Sequence, residues 1–343
     1  MSIRTLAGAL ILALLLFTAK SSFAQTSIPS HNKLFSPGDS NWVGDYTNKL
    51  TARFFLLFQN ASLIINAENI GTIIYRPNVN VRVGIAGFWK WFGLGLSIDN
   101  PFYKMDKDKY GKTSVIDLRV NAFGRKTAAE LFLQSYKGFY ISSTKNSNNE
   151  FYTIPDMVTF SMGAAGYWIY NSNRFSIRAA FIQNERQKKS AGSFVIRPSF
   201  TYYNISSDAG IIPDEIINEY NIPSANHINR GDFYSIGLSP GYAYTFVFLK
   251  NLYITAAIFP GVAVQFFSYT TEQNRYSNYE FSFQLDGRFA LGYNSDKWFL
   301  GGSVQTGFNE VPDKLSNSMF DYDVSQFRVW GGTRFDIFRK KKK

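Results

Sequence analysis

Period-two alternation of hydrophobic and polar positions dominates this chain. In 280–293, Phe281, Phe283, Leu285, Phe289, Leu291 and Tyr293 point one way, while Glu280, Ser282, Gln284, Asp286 and Arg288 point the other. Near the end, Phe327, Val329, Phe335 and Ile337 oppose Gln326, Arg328, Arg334 and Asp336. Ile116, Leu118 and Val120 oppose Asp117, Arg119 and Asn121, and Val81, Val83 and Ile85 face away from Arg82. Side chains of a strand alternate between its faces, so each segment has one greasy and one polar face. The greasy faces are long and aromatic, which suits acyl chains outside and a wet or ion-paired interior.

The alternation predicts strands near 50–58, 62–76, 79–88, 91–98, 113–123, 127–141, 156–170, 174–186, 192–204, 231–248, 251–268, 277–293, 297–308 and 323–338. Tight turns are expected at 89–90, 124–126, 171–173, 250–251 and 294–296. Longer polar connections fall at 99–112, 142–154, 205–230, 269–276 and 309–322, with a short helix conceivable within 208–222. Short turns at one end and long loops at the other describe an all-β, transmembrane, antiparallel up-and-down barrel of about 12–14 strands. The alternation slips by one phase near 186–191, so the chain departs from a simple hairpin there. A soluble β-sandwich is the alternative, but it would carry far fewer outward aromatics.

Composition sharpens this picture. The 343 residues include 33 Phe and 21 Tyr but no cysteine, which excludes disulfides, thiolate metal sites and thiol catalysis. A basic start, the apolar run 6–17 and Ser22-Phe23-Ala24 read as a cleaved secretory signal over residues 1–24. A retained anchor is the alternative, although the run is too short to span a bilayer comfortably. An N-terminal segment over 25–48, a barrel over 49–338 and a basic tail over 339–343 then follow. The formal charge is +11, and residues 339–343 supply five of the cations. The basicity is therefore largely a tail effect. It points to outer-membrane lipid, with lipopolysaccharide phosphate as a second candidate, and not to nucleic acid.

Chemistry-bearing motifs are sparse. His31 and His227 are the only histidines, and nothing in the sequence places His227 beside a serine or an orienting acid. The run Asp106–Gly111 lacks the ligand pattern of a calcium loop, and 163–166 sits inside a strand pattern and not before a helix. No cofactor is indicated. Two sets of residues remain as candidates. The first is an inward row of Arg82, Asp117, Arg119, Glu130, Arg178, Glu280, Asp286, Arg288, Arg328 and Arg334. Mixed signs in a confined lumen favour paired networks, read either as structural filling or as a weakly anion-preferring lining. The second is Arg186, Lys188, Lys189 and Ser190, a turn able to contact an anion or to act structurally.

Several stretches together resemble the family of Gram-negative envelope proteins known as domain of unknown function 4421. They are Tyr75-Arg76-Pro77-Asn78, Gly84 through Ser97, Tyr136 through Tyr140, Pro155-Asp156, Arg178-Ala179-Ala180-Phe181 and Glu185 through Phe194. The last two, one leading into the other, are the most specific. The resemblance covers roughly 45–338 and implies an outer-membrane barrel without an assigned activity, so it carries no site residues over. A non-enzymatic pore, transport component or structural envelope protein is the expected function. A membrane-embedded enzyme acting on lipid or lipopolysaccharide is the alternative, and it would need a nucleophile, base and orienting group near one interface.

Overall fold

The computed structural model describes residues 37–67, 71–79, 81–100, 102, 106–219, 228–271, 274–313 and 318–336. The leader expected over 1–24, His31, His227, Ile337 and the basic tail lie outside them.

Twelve antiparallel strands close into a ring. In chain order they are β2 (Leu50–Ala67), β4 (Val81–Trp89), β5 (Phe92–Asp99), β6 (Ser114–Phe123), β7 (Thr127–Lys145) and β8 (Phe151–Ile169). The ring continues with β10 (Ala191–Ser206), β11 (Ile228–Phe248), β12 (Leu252–Thr271), β13 (Arg275–Asn294), β14 (Trp298–Asp313) and β15 (Ser318–Phe335). Closure is made by β15 on β2, from Leu50↔Phe335 to Asn66↔Met319, leaving the ring no free edge. The facing read from the sequence holds. Phe281 is 76% and Phe283 51% exposed on the outside, while Ser282, Gln284, Asp286 and Arg288 are buried inside. A bilayer needs strands of only about 9–11 residues, so β11, β12 and β13, with 20 or 21 residues each, continue well past it.

The ring is not uniform. β4, β5 and β6 have 9, 8 and 10 residues and form a low panel, with the one-turn helix α1 (Lys107–Tyr110) between β5 and β6. Above it, a thirteenth strand, β3 (Gly71–Arg76), pairs with the upper part of β2 and then directly with β7 through Tyr75↔Ile141 and Arg76↔Tyr140. β7 changes partner at Gly138, where the register shifts. Gly138 has φ +91°, and a Cβ there would lie 2.1 Å from the Lys112 carbonyl oxygen, so only glycine fits the step. Two sequence expectations are corrected here. β2 runs unbroken through Gln59 and Asn60, and 62–76 is a hairpin of two strands and not one strand.

The larger correction concerns 174–186, which is not a wall strand. After the turn at 171–173 the chain enters the barrel mouth and forms the helix α2 (Ile177–Phe181) and then β9 (Glu185–Gln187). β9 pairs with β1 (Val43–Asp45), and β10 resumes the wall at Ala191. This excursion accounts for the phase slip. Phe175, Ile177, Ala180 and Ile182 are buried in one cluster with wall residues Phe88, Tyr253, Phe259, Phe299 and Trp330. At the opposite, long-loop end, Ile211 and Ile216 are buried among Leu63, Ile73, Tyr75, Ile141, Tyr203 and Phe267. These isoleucines flank and belong to the helix α3 (Asp214–Glu219), within the stretch where a loop helix is expected. Both mouths therefore hold packed side chains.

Candidate functional site

Between these two packed clusters the inward faces of the strands are polar, because each long strand alternates and its other face is committed to the apolar exterior. A cavity of about 220 Å³ opens here, lined among others by Arg119, Glu130, Arg197, Asp286, Arg288 and Arg328. A smaller space of about 30 Å³ adjoins it, sharing Arg53, Arg119 and Arg328 as lining.

Charges in this chamber fall into three groups. In the first, Arg288 grips Glu130 with two bonds of 3.0 Å and donates to Asp286 at 2.9 Å. Tyr167 donates to Glu130 at 2.8 Å and accepts from Arg288, and Arg197 lies 3.5 Å from Asp286. Two cations here meet two carboxylates. In the second group, Asp117 is shared by Arg82 at 2.9 Å and Arg119 at 3.3 Å, with Gln134 donating at 3.1 Å. That leaves one cation in excess. In the third, Arg53 donates, among the described residues, only to neutral acceptors, the Phe181 carbonyl at 2.7 Å and Gln183 Oε1 at 3.3 Å. Arg328 reaches no hydrogen-bond acceptor among the described residues; its guanidinium lies 5.0 Å from the Phe55 ring centre.

The predicted inward row is thus partly one site and partly another. Arg82, Asp117, Arg119, Glu130, Asp286, Arg288 and Arg328 meet around the chamber. Arg178 and Arg334 do not: both clamp the plug at the short-turn end. Arg178 lies on α2, donates to the carbonyls of Phe123 and Gly124 and sits 3.3 Å from Glu185. Arg334 donates to the Gln183 carbonyl at 2.8 Å and to Asn294 Oδ1 at 2.6 Å. Glu280 forms no ion pair among the described residues. Arg53 and Arg197 escaped the sequence reading. The outward Phe54 beside Arg53, and Phe194 and Ile196 before Arg197, carry the signal that places both arginines inside.

At the plug, Glu185 is 2% exposed and takes Arg125 at 3.0 Å together with Arg178 and the Ser176 hydroxyl. Burial lowers the pKa of Arg178, and the charge of Glu185 opposes that shift. Asn294 donates to the carbonyls of Ala179 and Glu185, and Tyr253 to that of Ala180 at 2.9 Å. The second predicted set belongs here too. Arg186 pairs with Asp296 at 2.8 Å, Lys188 donates to the Ser40 carbonyl at 2.8 Å, and Lys189 lies over the Trp42 ring. Ser190 accepts from the Val247 N–H at 2.9 Å. These groups point at four different protein partners and form a clasp on the wall. Tyr46 donates to Asp296; burial first, and then this bond, push the Tyr46 hydroxyl up to about 12. The same bond leads the causes that hold the Asp296 carboxyl below its ordinary range.

Among the described residues no group of three or more acids or histidines gathers as a metal site.

The family model described as domain of unknown function (DUF4421) matches residues 37–322. No curated protein matches the chain. Solved structures with similar architecture include the translocator domain of the autotransporter NalP from Neisseria meningitidis. It is 12% identical, with 97% of this chain and 98% of that one covered and a TM-score of 0.34. The outer membrane protease OmpT from Escherichia coli is 7% identical, with coverage of 84% and 96% and a TM-score of 0.32. A Pseudomonas aeruginosa FadL homologue is 10% identical, with coverage of 89% and 96% and a TM-score of 0.28. At these values the likeness carries nothing about activity.

Proposed function

We propose that this chain, which belongs to the DUF4421 family, is a non-enzymatic transport component of a Gram-negative outer membrane, with a lumen closed at rest. Export through the leader 1–24 delivers it, and the outward aromatics hold it in lipid. By the usual disposition of such barrels, the short turns and the plug face the periplasm and the long loops face outward. The observation that carries the reading is the chamber. A barrel that served only as an envelope strut would fill its interior at ordinary protein density, yet about 220 Å³ remains among charged side chains. An always-open pore would lack the packed side chains at its two mouths.

Planar-bilayer conductance of the purified, refolded protein tests this. The wild type should give no steady open channel, and Glu185→Ala, which removes the carboxylate shared by Arg125 and Arg178, should give openings. A large steady conductance in the wild type would overturn the closed lumen; silence in both proteins would overturn the transport role. The enzyme alternative depends on a base such as His227. His227→Ala should leave the protein's phenotype unchanged, and loss of a lipid-modifying activity in that variant, with normal folding, would overturn the non-enzymatic reading.

A further inference from the structure

Charge in the chamber does not balance among the described residues. Six guanidinium groups, from Arg53, Arg82, Arg119, Arg197, Arg288 and Arg328, face three carboxylates, from Asp117, Glu130 and Asp286. The carboxylates are all engaged: Glu130 and Asp286 by Arg288 and Arg197, and Asp117 by Arg82 and Arg119. The surplus is concentrated at one place. Arg53 and Arg328 lie on the same Phe55 ring, 5.7 Å and 5.0 Å from its centre, and both line the two connected spaces with Arg119. Arg53 is 6% exposed, and the Nε atoms of Arg53 and Arg328 are buried without a hydrogen-bond partner. Guanidinium groups withdrawn from water with neither counter-ion nor full hydrogen bonding are costly. Two such groups, Arg53 and Arg328, converging with the Asp117-paired Arg119 on open space describe the lining of an anion site. The planar fork of arginine matches an oxyanion with paired N–H donors. A single water needs only about 10–15 Å³, so the larger space of about 220 Å³ admits a hydrated oxyanion.

We propose that the chamber binds a small, multiply charged oxyanion of the phosphate type, held by Arg53, Arg119 and Arg328. The carboxylates of Glu130 and Asp286 line the same cavity but are neutralised by their own arginines, so they do not repel the anion as free charges would. The inference rests on the reading of the chamber as the working compartment of the barrel. Binding is measured separately from conductance, so either can fail without the other.

The experiment is calorimetric titration and thermal unfolding of the full refolded chain in detergent. Inorganic phosphate is compared with chloride at equal ionic strength. Wild type should bind phosphate and unfold at a higher temperature in it than in chloride. Arg328→Gln removes a cation with no hydrogen-bonded partner among the described residues and should weaken binding by about tenfold or more, the loss of one charge-assisted pair. Arg328→Lys should retain more of the affinity than Arg328→Gln, and Lys145→Gln, at the exposed end of β7, should bind as wild type. Absence of any phosphate-specific heat or stabilisation in the wild type overturns the site, whatever the variants do. Equal binding by wild type and Arg328→Gln overturns the assignment to these residues.

Discussion

At the short-turn mouth a buried carboxylate, Glu185, holds the plug through Arg125 and Arg178, and Asn294, Tyr253 and Arg334 fasten its backbone to the wall. At the long-loop mouth Ile211 and Ile216 sit among aliphatic and aromatic side chains. Polar anchoring there, among the described residues, includes Tyr75 on the Ile211 carbonyl, Asp156 on the loop start at 207–209, and backbone bonds from Ser207 and Ile211 to the carbonyls of Asn229 and Ile228. One end adds a few directional, charge-assisted bonds to its apolar packing; the other relies mainly on many weak contacts. The two closures are therefore vulnerable in different ways. Loss of one carboxylate should weaken the first most, whereas loss of volume should trouble the second most.

The largest effect is expected from Glu185→Ala. It leaves two buried guanidinium groups without their carboxylate, a change worth about 3–5 kcal/mol. Thermal unfolding in detergent should show a large loss of stability while the far-ultraviolet signature of the wall survives; an unchanged midpoint would break the comparison. Next comes Ile216→Ala at the opposite mouth, expected to cost about 2–3 kcal/mol, the low end for such truncations because a loop settles more easily than a strand. Hydrogen exchange should rise at 207–219 and stay unchanged at 174–190. A rise at both would mean that the two plugs are coupled. Tyr75→Phe is smaller, ~0.5–1.5 kcal/mol for one hydrogen bond, and is read in the same exchange experiment.

The smallest effect is one of pH. Because the folded pKa of Asp296 is depressed, its contribution is present above the ordinary carboxylate range, about 3.9, and is lost as pH falls through the lower folded value. Asp296 is largely exposed, so the consequence is local: exchange protection at 43–46 and 185–188, taken relative to an unstructured amide at the same pH, should fall in acid and hold in alkali. The same protection at pH 3 and pH 7 would remove the clasp as a pH-dependent contact.

How far the sequence could be read follows from how each residue is surrounded. Where one face meets lipid and the other the lumen, as in β13, alternation reports facing directly, and Phe283 and Asp286 fall where the pattern puts them. The plug defeats that logic. Phe175, Ile177, Ala179 and Phe181 alternate like a strand, yet Arg178 and Ala180 between them and Ile182 after them are buried as well, because a segment inside a barrel is packed on every side. The stretches that carry the family resemblance most specifically, Arg178–Phe181 and Glu185–Phe194, form this plug and its exit into β10. Arg53 was hidden for another reason. Its inward neighbours Phe55 and Leu57 are apolar, so the face they share does not read as polar. Arg125, in a tight turn, gives no sign of its partner 60 positions away.

The most direct test of a plug clamped by charge uses the absence of cysteine from the chain. Ser303 lines the chamber, and Ser303→Cys would carry the sole thiol. Its rate of labelling by a small anionic thiosulfonate is measured in the refolded barrel, with Glu185 intact and with Glu185→Ala. Slow labelling is predicted when Glu185 is present, and labelling at least about tenfold faster without it, which corresponds to at least about 1.4 kcal/mol of lost closure. Equal, rapid labelling in both proteins would contradict the account.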